Sequence, residues 1–405
     1  MYYVILMLFV LMISIVIFGR DLGRSQEDET LYPYMMGLAT GVPQYKVTQT
    51  DALKIALKAF GSSANKDYIE QIYSNACIST RYMSVPDFSP PEEKDPNDEY
   101  FHSKATDFTQ PVQERLVRFK KEAIPLVTDV CKRAIANAGV SVNDIHKLVV
   151  VSSTGFLGPS LDCELINSLG LPRSTDRTLV GFMGCAAAMN GYRVAMDFVK
   201  ANPGKLALMV CVEISSVHST FNYSVNNTII HAIFADGCAA CVLTAKPRAE
   251  VPPGTLCIVE EHGLLMPGTD DGIQLAINHD GITCTLSKDL PKYIALHIGT
   301  FVDALLRKQN FTRTDVDFWA IHPGGRRIIE QSQLGLKLTP AQASDSWAVL
   351  NQYGNMLSPS VMFVLEKVLA RHKAARARGE DGMKVGVAFS FSPGVGAEGI
   401  MLAQI

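Results

Sequence analysis

Residues 181–199 read GFMGCAAAMNGYRVAMDFV, a stretch in which a glycine-bounded turn feeds straight into a helix. Gly184 permits a tight turn, and the alanine run behind it starts a strong helix. Asn190, Arg193, Asp197 and Lys200 fall on one stripe at helical spacing, which predicts that the faces carrying Met189, Tyr192, Met196 and Val199 are buried. β-branched runs flank this segment, Leu148–Ser152 before it and Leu206–Val212 after it. Short strands alternating with longer helical patterns such as Val112–Ala138 make the chain α/β from Leu31 onward.

Cys185 stands just ahead of that helix, where the positive end of the helix dipole favours a thiolate. That makes it a candidate nucleophile. Most cysteines are instead small buried hydrophobes, the reading given to Cys131, Cys211, Cys238, Cys241 and Cys257. A thiolate nucleophile needs a proton partner and a donor for the developing oxyanion, and the second half of the chain offers both. His322 ends the run Phe318–Ile321 and is followed by Pro323-Gly324-Gly325. Asn355 lies in Tyr353-Gly354-Asn355-Met356, before Ser358-Pro359, which reads as a helix start with a capping serine. Each is weak alone, since a lone His or Asn is usually an ordinary polar or turn residue.

The two halves echo one another. Asp144 opens a segment leading into a strand and then Cys185; Asp315 opens one leading into Phe318–Ile321 and then Asn355. The separations are 185 − 144 = 41 and 355 − 315 = 40. We therefore expect two related α/β halves, 31–255 and 256–405, whose equivalent loops meet at one site, preceded by a leader, 1–30.

The 405 residues can bury cores large enough for a compact enzyme. Apolar residues make up 47%, and 37 basic against 40 acidic residues leave a net charge of −3, which argues against nucleic-acid wrapping. Nine scattered cysteines suggest neither a disulfide framework nor a metal site. The proline-rich stretch Ser84–Asp107 reads as a surface loop. Residues 2–18 are apolar apart from Ser14 and read as a signal anchor or targeting leader, the alternative being a buried helix or a misplaced start. If they span a membrane, Arg20 and Arg24 would keep the body in the cytosol; the location stays open between cytoplasmic, membrane-anchored and organelle-targeted.

On these residues the chain resembles the type III polyketide synthases, the chalcone-synthase-like members of the thiolase superfamily, in their algal, fungal or bacterial rather than plant form. The motifs are Arg81-Tyr82-Met83, GCAAAMNG around Cys185, FADGCAA at 234–240, IHPGGRR at 321–327, YGNM at 353–356 and FSPG at 391–394. The resemblance implies a homodimer with a five-layer αβαβα fold built from two duplicated halves. It makes Cys185 the acyl-accepting nucleophile, His322 and Asn355 its partners, and Phe234 an aromatic gatekeeper. The expected chemistry joins a malonyl-CoA-derived enolate to an acyl starter held on Cys185. Repeated extension and cyclisation would then give an alkylresorcinol, an alkylpyrone or phloroglucinol. Coenzyme A thioesters are the substrates: malonyl-CoA and a fatty acyl-, acetyl- or malonyl-CoA starter. No metal, flavin or nicotinamide is called for.

Departures from the family pattern fall where substrate identity is decided. A second gatekeeper Phe becomes Cys284, a cavity-wall Thr becomes His218, and a usually small residue becomes Leu357. A GFGPG loop becomes Ser390-Phe391-Ser392-Pro393-Gly394. Basic residues that meet coenzyme A phosphates in plant members fall on Tyr68, Gln71 and Asn75; Arg326 and Arg327 are candidate replacements, a solvated turn being the ordinary alternative. Cys284 opens volume for a long starter, whereas Leu357 shortens the cavity. Two other classes stay in view: a ketoacyl-carrier-protein synthase III-like enzyme, whose histidine strand is typically followed by Ala-Asn rather than Pro-Gly-Gly, and a catalytically silent, membrane-tethered scaffold.

Overall fold

Along the strand Leu206–Ile214, Leu208, Val210 and Val212 enter one core, while Ala207, Met209 and Cys211 enter another. A strand turns successive side chains to opposite faces, so a continuous apolar run means a strand covered on both sides. The computed structural model describes residues 30–60, 65–88, 110–220, 222–279 and 281–405. Its strands are, in chain order, β1 (Leu31–Gly41), β2 (Tyr45–Thr48), β3 (Thr80–Met83), β4 (Ile145–Ser152), β5 (Asp176–Gly181), β6 (Leu206–Ile214), β7 (Asp236–Pro247), β8 (Leu256–Leu265), β9 (Ile273–Asn278), β10 (Gly281–Leu286), β11 (Phe318–Ile321), β12 (Val385–Ser392) and β13 (Gly396–Gln404).

Nine of them form one sheet in the order β11-β12-β13-β8-β1-β7-β6-β4-β5. The expected duplication is visible in it. β4 and β6 are parallel, β7 and β1 follow antiparallel; β11 and β12 are parallel, β13 and β8 follow antiparallel. The halves join where Tyr34 of β1 faces Cys257 of β8, and β5 has no counterpart. The helices Ala187–Ala201 and Ser360–Ala377 fill the centre, packed between the half-sheets. The helix Val112–Ala138 covers one outer face and Leu290–Arg307 the other. Helix, sheet, helix, sheet, helix gives the five layers.

Local chemistry repeats with the topology. Asp144 and Asp315 each close a capping box, with Ser141 and Thr312 respectively, at the short turn entering β4 and β11. The amphipathic reading of residues 187–201 holds, with Met189, Tyr192, Met196 and Val199 all buried.

Two expectations need correcting. Ser84, Val85 and Pro86 do not lie on the surface: they are buried, and the Ser84 amide donates to Asp236 Oδ2 at 2.7 Å. Ser358 does not cap a helix; its hydroxyl turns inward to a buried carboxylate, and the helix begins at Ser360. Phe88 is buried as well, and residues 89–107 of the predicted loop and 1–29 of the leader lie outside the described residues. Among the described residues no helix is long and apolar enough to cross a membrane.

Candidate active site

The turn at Gly184 fixes where the thiol sits. Gly184 has φ +59°, a conformation that L side chains rarely adopt, and a Cβ there would lie 3.0 Å from Pro393 Cδ. Its amide donates to Ser153 Oγ at 3.0 Å, while Ser390 Oγ donates to the Cys185 carbonyl at 2.7 Å. Cys185 thus occupies a short 3-10 turn, Gly184–Ala186, at the head of the central helix, held by residues from both halves.

Asn355 meets it from the other half. Its Nδ2 lies 4.0 Å from Cys185 Sγ and donates to the Gly324 carbonyl at 3.1 Å; its Oδ1 accepts from the Leu357 amide at 2.9 Å. The amide plane is thereby fixed with one N–H edge toward the thiol. The Asn355 backbone forms a bridge with Phe234, donating to Ile233 O and accepting from Ala235 N. Buried Arg81 donates to the carbonyls of His231 and Phe234, both at 2.7 Å, and so holds the segment that bridges to Asn355.

His322 follows β11 and is fully buried, its amide donating to Phe389 O of β12. Gly324 packs against its ring: a Cβ there would lie 2.9 Å from Cδ2 and 3.0 Å from Nε2. Neither ring nitrogen has a hydrogen-bond partner among the described residues.

Burial acts on the protonation of both groups, Cys185 and His322. Burial pushes the Cys185 thiol well up, Cys284 adding to this against the hydrogen bond from Asn355. Burial pushes His322 down to about 3. Desolvation thus works against a charged form of either group, opposing the thiolate that the helix end favours.

A cavity is walled by Phe234, His218, Leu357 and Cys284 among others, with Cys185, His322 and Asn355 outside its lining. His218 is no free base: its Nε2 bonds the Thr154 carbonyl at 2.7 Å, its Nδ1 accepts from the Ile282 amide at 3.2 Å, and burial lowers it to about 4. Leu357 is buried at φ +53°. Arg326 and Arg327 do not reach the cavity. Both pair with Glu330, and Arg326 Nη1 also donates to Asn75 Oδ1 at 3.4 Å.

Sequence reading missed Glu213. Fully buried on β6, it accepts from the Ser153 and Thr154 amides and, at 2.7 Å each, from Thr154 Oγ1 and Ser358 Oγ. Burial raises it to about 7 despite those donors. Its signal was a lone carboxylate in the apolar run Leu206–Ile214. Thr154 also lines the cavity, so this network backs its wall.

Residues 22–247 match the chalcone and stilbene synthase N-terminal domain and residues 258–405 the C-terminal domain. The chain belongs to the chalcone and stilbene synthase family. It is a type III polyketide synthase, an acyl-condensing transferase. It is 40% identical over 370 residues to a Mycobacterium tuberculosis protein described as alpha-pyrone synthesis polyketide synthase-like Pks18, covering 90% of this chain and 89% of that one. Its fold matches the crystal structure of PKS-I from the brown alga Ectocarpus siliculosus with a TM-score of 0.91 and 60% identity, over 93% of this chain and 99% of the other. The type III domain of Steely1, a Dictyostelium hybrid synthase, matches with a TM-score of 0.80 at 26% identity, over 92% and 99% of the two chains.

Proposed function

We propose that this synthase holds a fatty acyl starter on Cys185, extends it with malonyl-CoA and releases an alkylpyrone. The observation that carries this reading is the cavity wall: where the family pattern has a gatekeeper Phe, Cys284 stands in the cavity lining. The relative described as serving alpha-pyrone synthesis supports the same product class.

Loading begins with neutral imidazole. His322 takes the Cys185 proton as sulfur attacks the acyl-CoA carbonyl; coenzyme A leaves as thiol, recovering that proton. Malonyl-CoA then loses carbon dioxide, and the electron pair of the broken bond becomes a thioester enolate. The Asn355 amide and the neutral His322 N–H both donate to its oxygen without delivering a proton to carbon. The enolate carbon attacks the Cys185 thioester, the thiolate departs, and the lengthened chain returns to Cys185 by thioester exchange. After the last round, attack of a chain enol oxygen on the thioester closes the lactone and frees Cys185. No metal or redox cofactor enters these steps.

Arg326, beside Asn75, is the proposed contact for coenzyme A phosphates, Arg327 adding charge at the same turn; their shared Glu330 must then yield part of its hold. A homodimer belongs to the same reading, supported by the edge strand β5, where Leu179 is 52% exposed near Phe156, 64% exposed. Sedimentation of wild type against Phe156→Glu tests it. Residues 2–18 would tether or target the enzyme, which fractionation with and without them tests.

A second reading, phloroglucinol from malonyl-CoA alone, is favoured by buried Leu357 in the cavity wall. Product analysis with malonyl-CoA, with and without acyl-CoA starters of graded length, separates the two. Alkylpyrones whose side chains track the starter support the first; phloroglucinol alone under every condition overturns it.

A further inference from the structure

β9 and β10 form a two-stranded hairpin outside the main sheet, yet it supplies much of the cavity wall, including Leu275, Ile282 and Cys284. Within the hairpin, Cys284 pairs with Leu275. The backbone ties described at its ends are Gly394 N to Ile273 O and Val112 N to His279 O, both 2.8 Å. Between those ends, the side of β10 away from β9 presents every second residue: the Ile282 amide, the Cys284 carbonyl and the Leu286 amide. No strand of the body pairs with it. Two side chains meet these groups instead. His218 accepts from the Ile282 amide at 3.2 Å. Asn226 Nδ2 donates to the Cys284 carbonyl at 2.7 Å, and its Oδ1 accepts from the Leu286 amide at 3.1 Å.

Asn226 therefore does what a neighbouring strand would do, bonding a carbonyl at one position and an amide two residues on. It sits in the first turn of the helix Val225–Ile233, whose start is set by Ser224 accepting from the Asn227 amide at 3.0 Å. The body of the enzyme thus reaches the hairpin through a side-chain amide whose two ends are both used.

We infer that Asn226 is a positioning residue for starter selection: it latches the β9–β10 wall to the body and so sets the gap that an acyl chain must fit. This rests on the acyl-starter reading above. Removing the amide leaves the Cys284 carbonyl and Leu286 amide without partners in a half-buried seam. The hairpin then backs away until water serves them, and the gap widens. Asn226's own two bonds go to the hairpin rather than to Cys185 or Asn355.

The experiment compares kcat/KM for palmitoyl-CoA and hexanoyl-CoA as starters in wild type, Asn226→Ala and Asn226→Asp. It adds amide hydrogen exchange of the segment 281–287 and the melting temperature. Asp keeps the size and the acceptor for Leu286 but sets an oxygen against the Cys284 carbonyl, so it decides alone if the Ala variant fails to fold. Expected is a rise of about tenfold in the palmitoyl to hexanoyl ratio, the scale on which pockets discriminate chain increments, with faster exchange at 281–287. A melting loss that depresses both starters equally and leaves the ratio unchanged would mark Asn226 as merely structural and overturn the inference. If wild type makes no product from either starter, the acyl-starter reading fails instead; unchanged exchange at 281–287 in the variants would then still overturn the latch.

Discussion

At the residue scale, Asn355 concentrates the most consequence in one amide. Its oxygen is spent on the Leu357 amide and one N–H on Gly324, leaving an N–H edge at Cys185. Asn355→Ala should leave single-turnover loading of Cys185 nearly intact while malonyl-CoA decarboxylation falls about 10²–10³-fold, the usual weight of one oxyanion donor. A fall under about tenfold would remove it from that role. His322 makes a separate prediction through its charge. An imidazole lowered to about 3 stays neutral, hence able to accept a proton, well below the ordinary histidine range. The acid limb of the loading rate should therefore lie below pH 6.5, as read from single-turnover acylation across pH 4–8; a limb at or above 6.5 would contradict that lowering. The three residue types were legible in sequence because their turns are marked by glycine and proline. Their charge state was not: a helix end is visible in sequence, whereas desolvation depends on what packs around it, including Ser390 from a strand 205 residues away.

At the scale of elements, the sheet and its helices approach so closely that side chains are excluded. Gly37, at the irregularity in β1, sits under the helix Val112–Ala138. A Cβ there would lie 2.4 Å from both the Ala134 carbonyl oxygen and the Ala138 nitrogen. Both are backbone atoms in a helix and cannot swing away, so Gly37→Ala must displace the helix from the sheet. We expect a loss of about 1–3 kcal/mol, the range for overpacking a core, seen as a lower denaturation midpoint at unchanged m-value; an unaltered midpoint would mean the layers have slack. These elements were largely readable in advance. Val112–Ala138 and Phe318–Ile321 have the bounds their patterns suggested, because apolar period and glycine punctuation are local signals. The inward turn of Ser358 was not readable. Ser-Pro is a good helix start by local rules, and only the buried carboxylate of Glu213, 145 residues earlier, competes for the hydroxyl.

At the scale of the whole molecule, buried titratable groups set opposing pH dependences. His218, His231 and His322 are all lowered by burial. They stabilise the fold above the unfolded histidine pKa of about 6.5 and lose that contribution as pH falls toward 4. Glu213 and Asp236 act in the other direction, raised by burial to about 7 and about 6. A carboxyl whose folded pKa exceeds its unfolded value binds more protons when folded. Its contribution is therefore complete below about pH 4.5 and disappears as pH rises through 7. For Glu213 the interval from 4.5 to about 7 corresponds to about 3 kcal/mol. Glu213→Gln removes that titration and leaves the histidines in place. Relative to wild type its melting temperature should become steadily more favourable between pH 5 and pH 8, even if the amide is poorer at serving the donors of Ser153, Thr154 and Ser358 at the acid end. A difference that stays flat over that range would mean Glu213 is ionised throughout, with the donors around it prevailing over its burial.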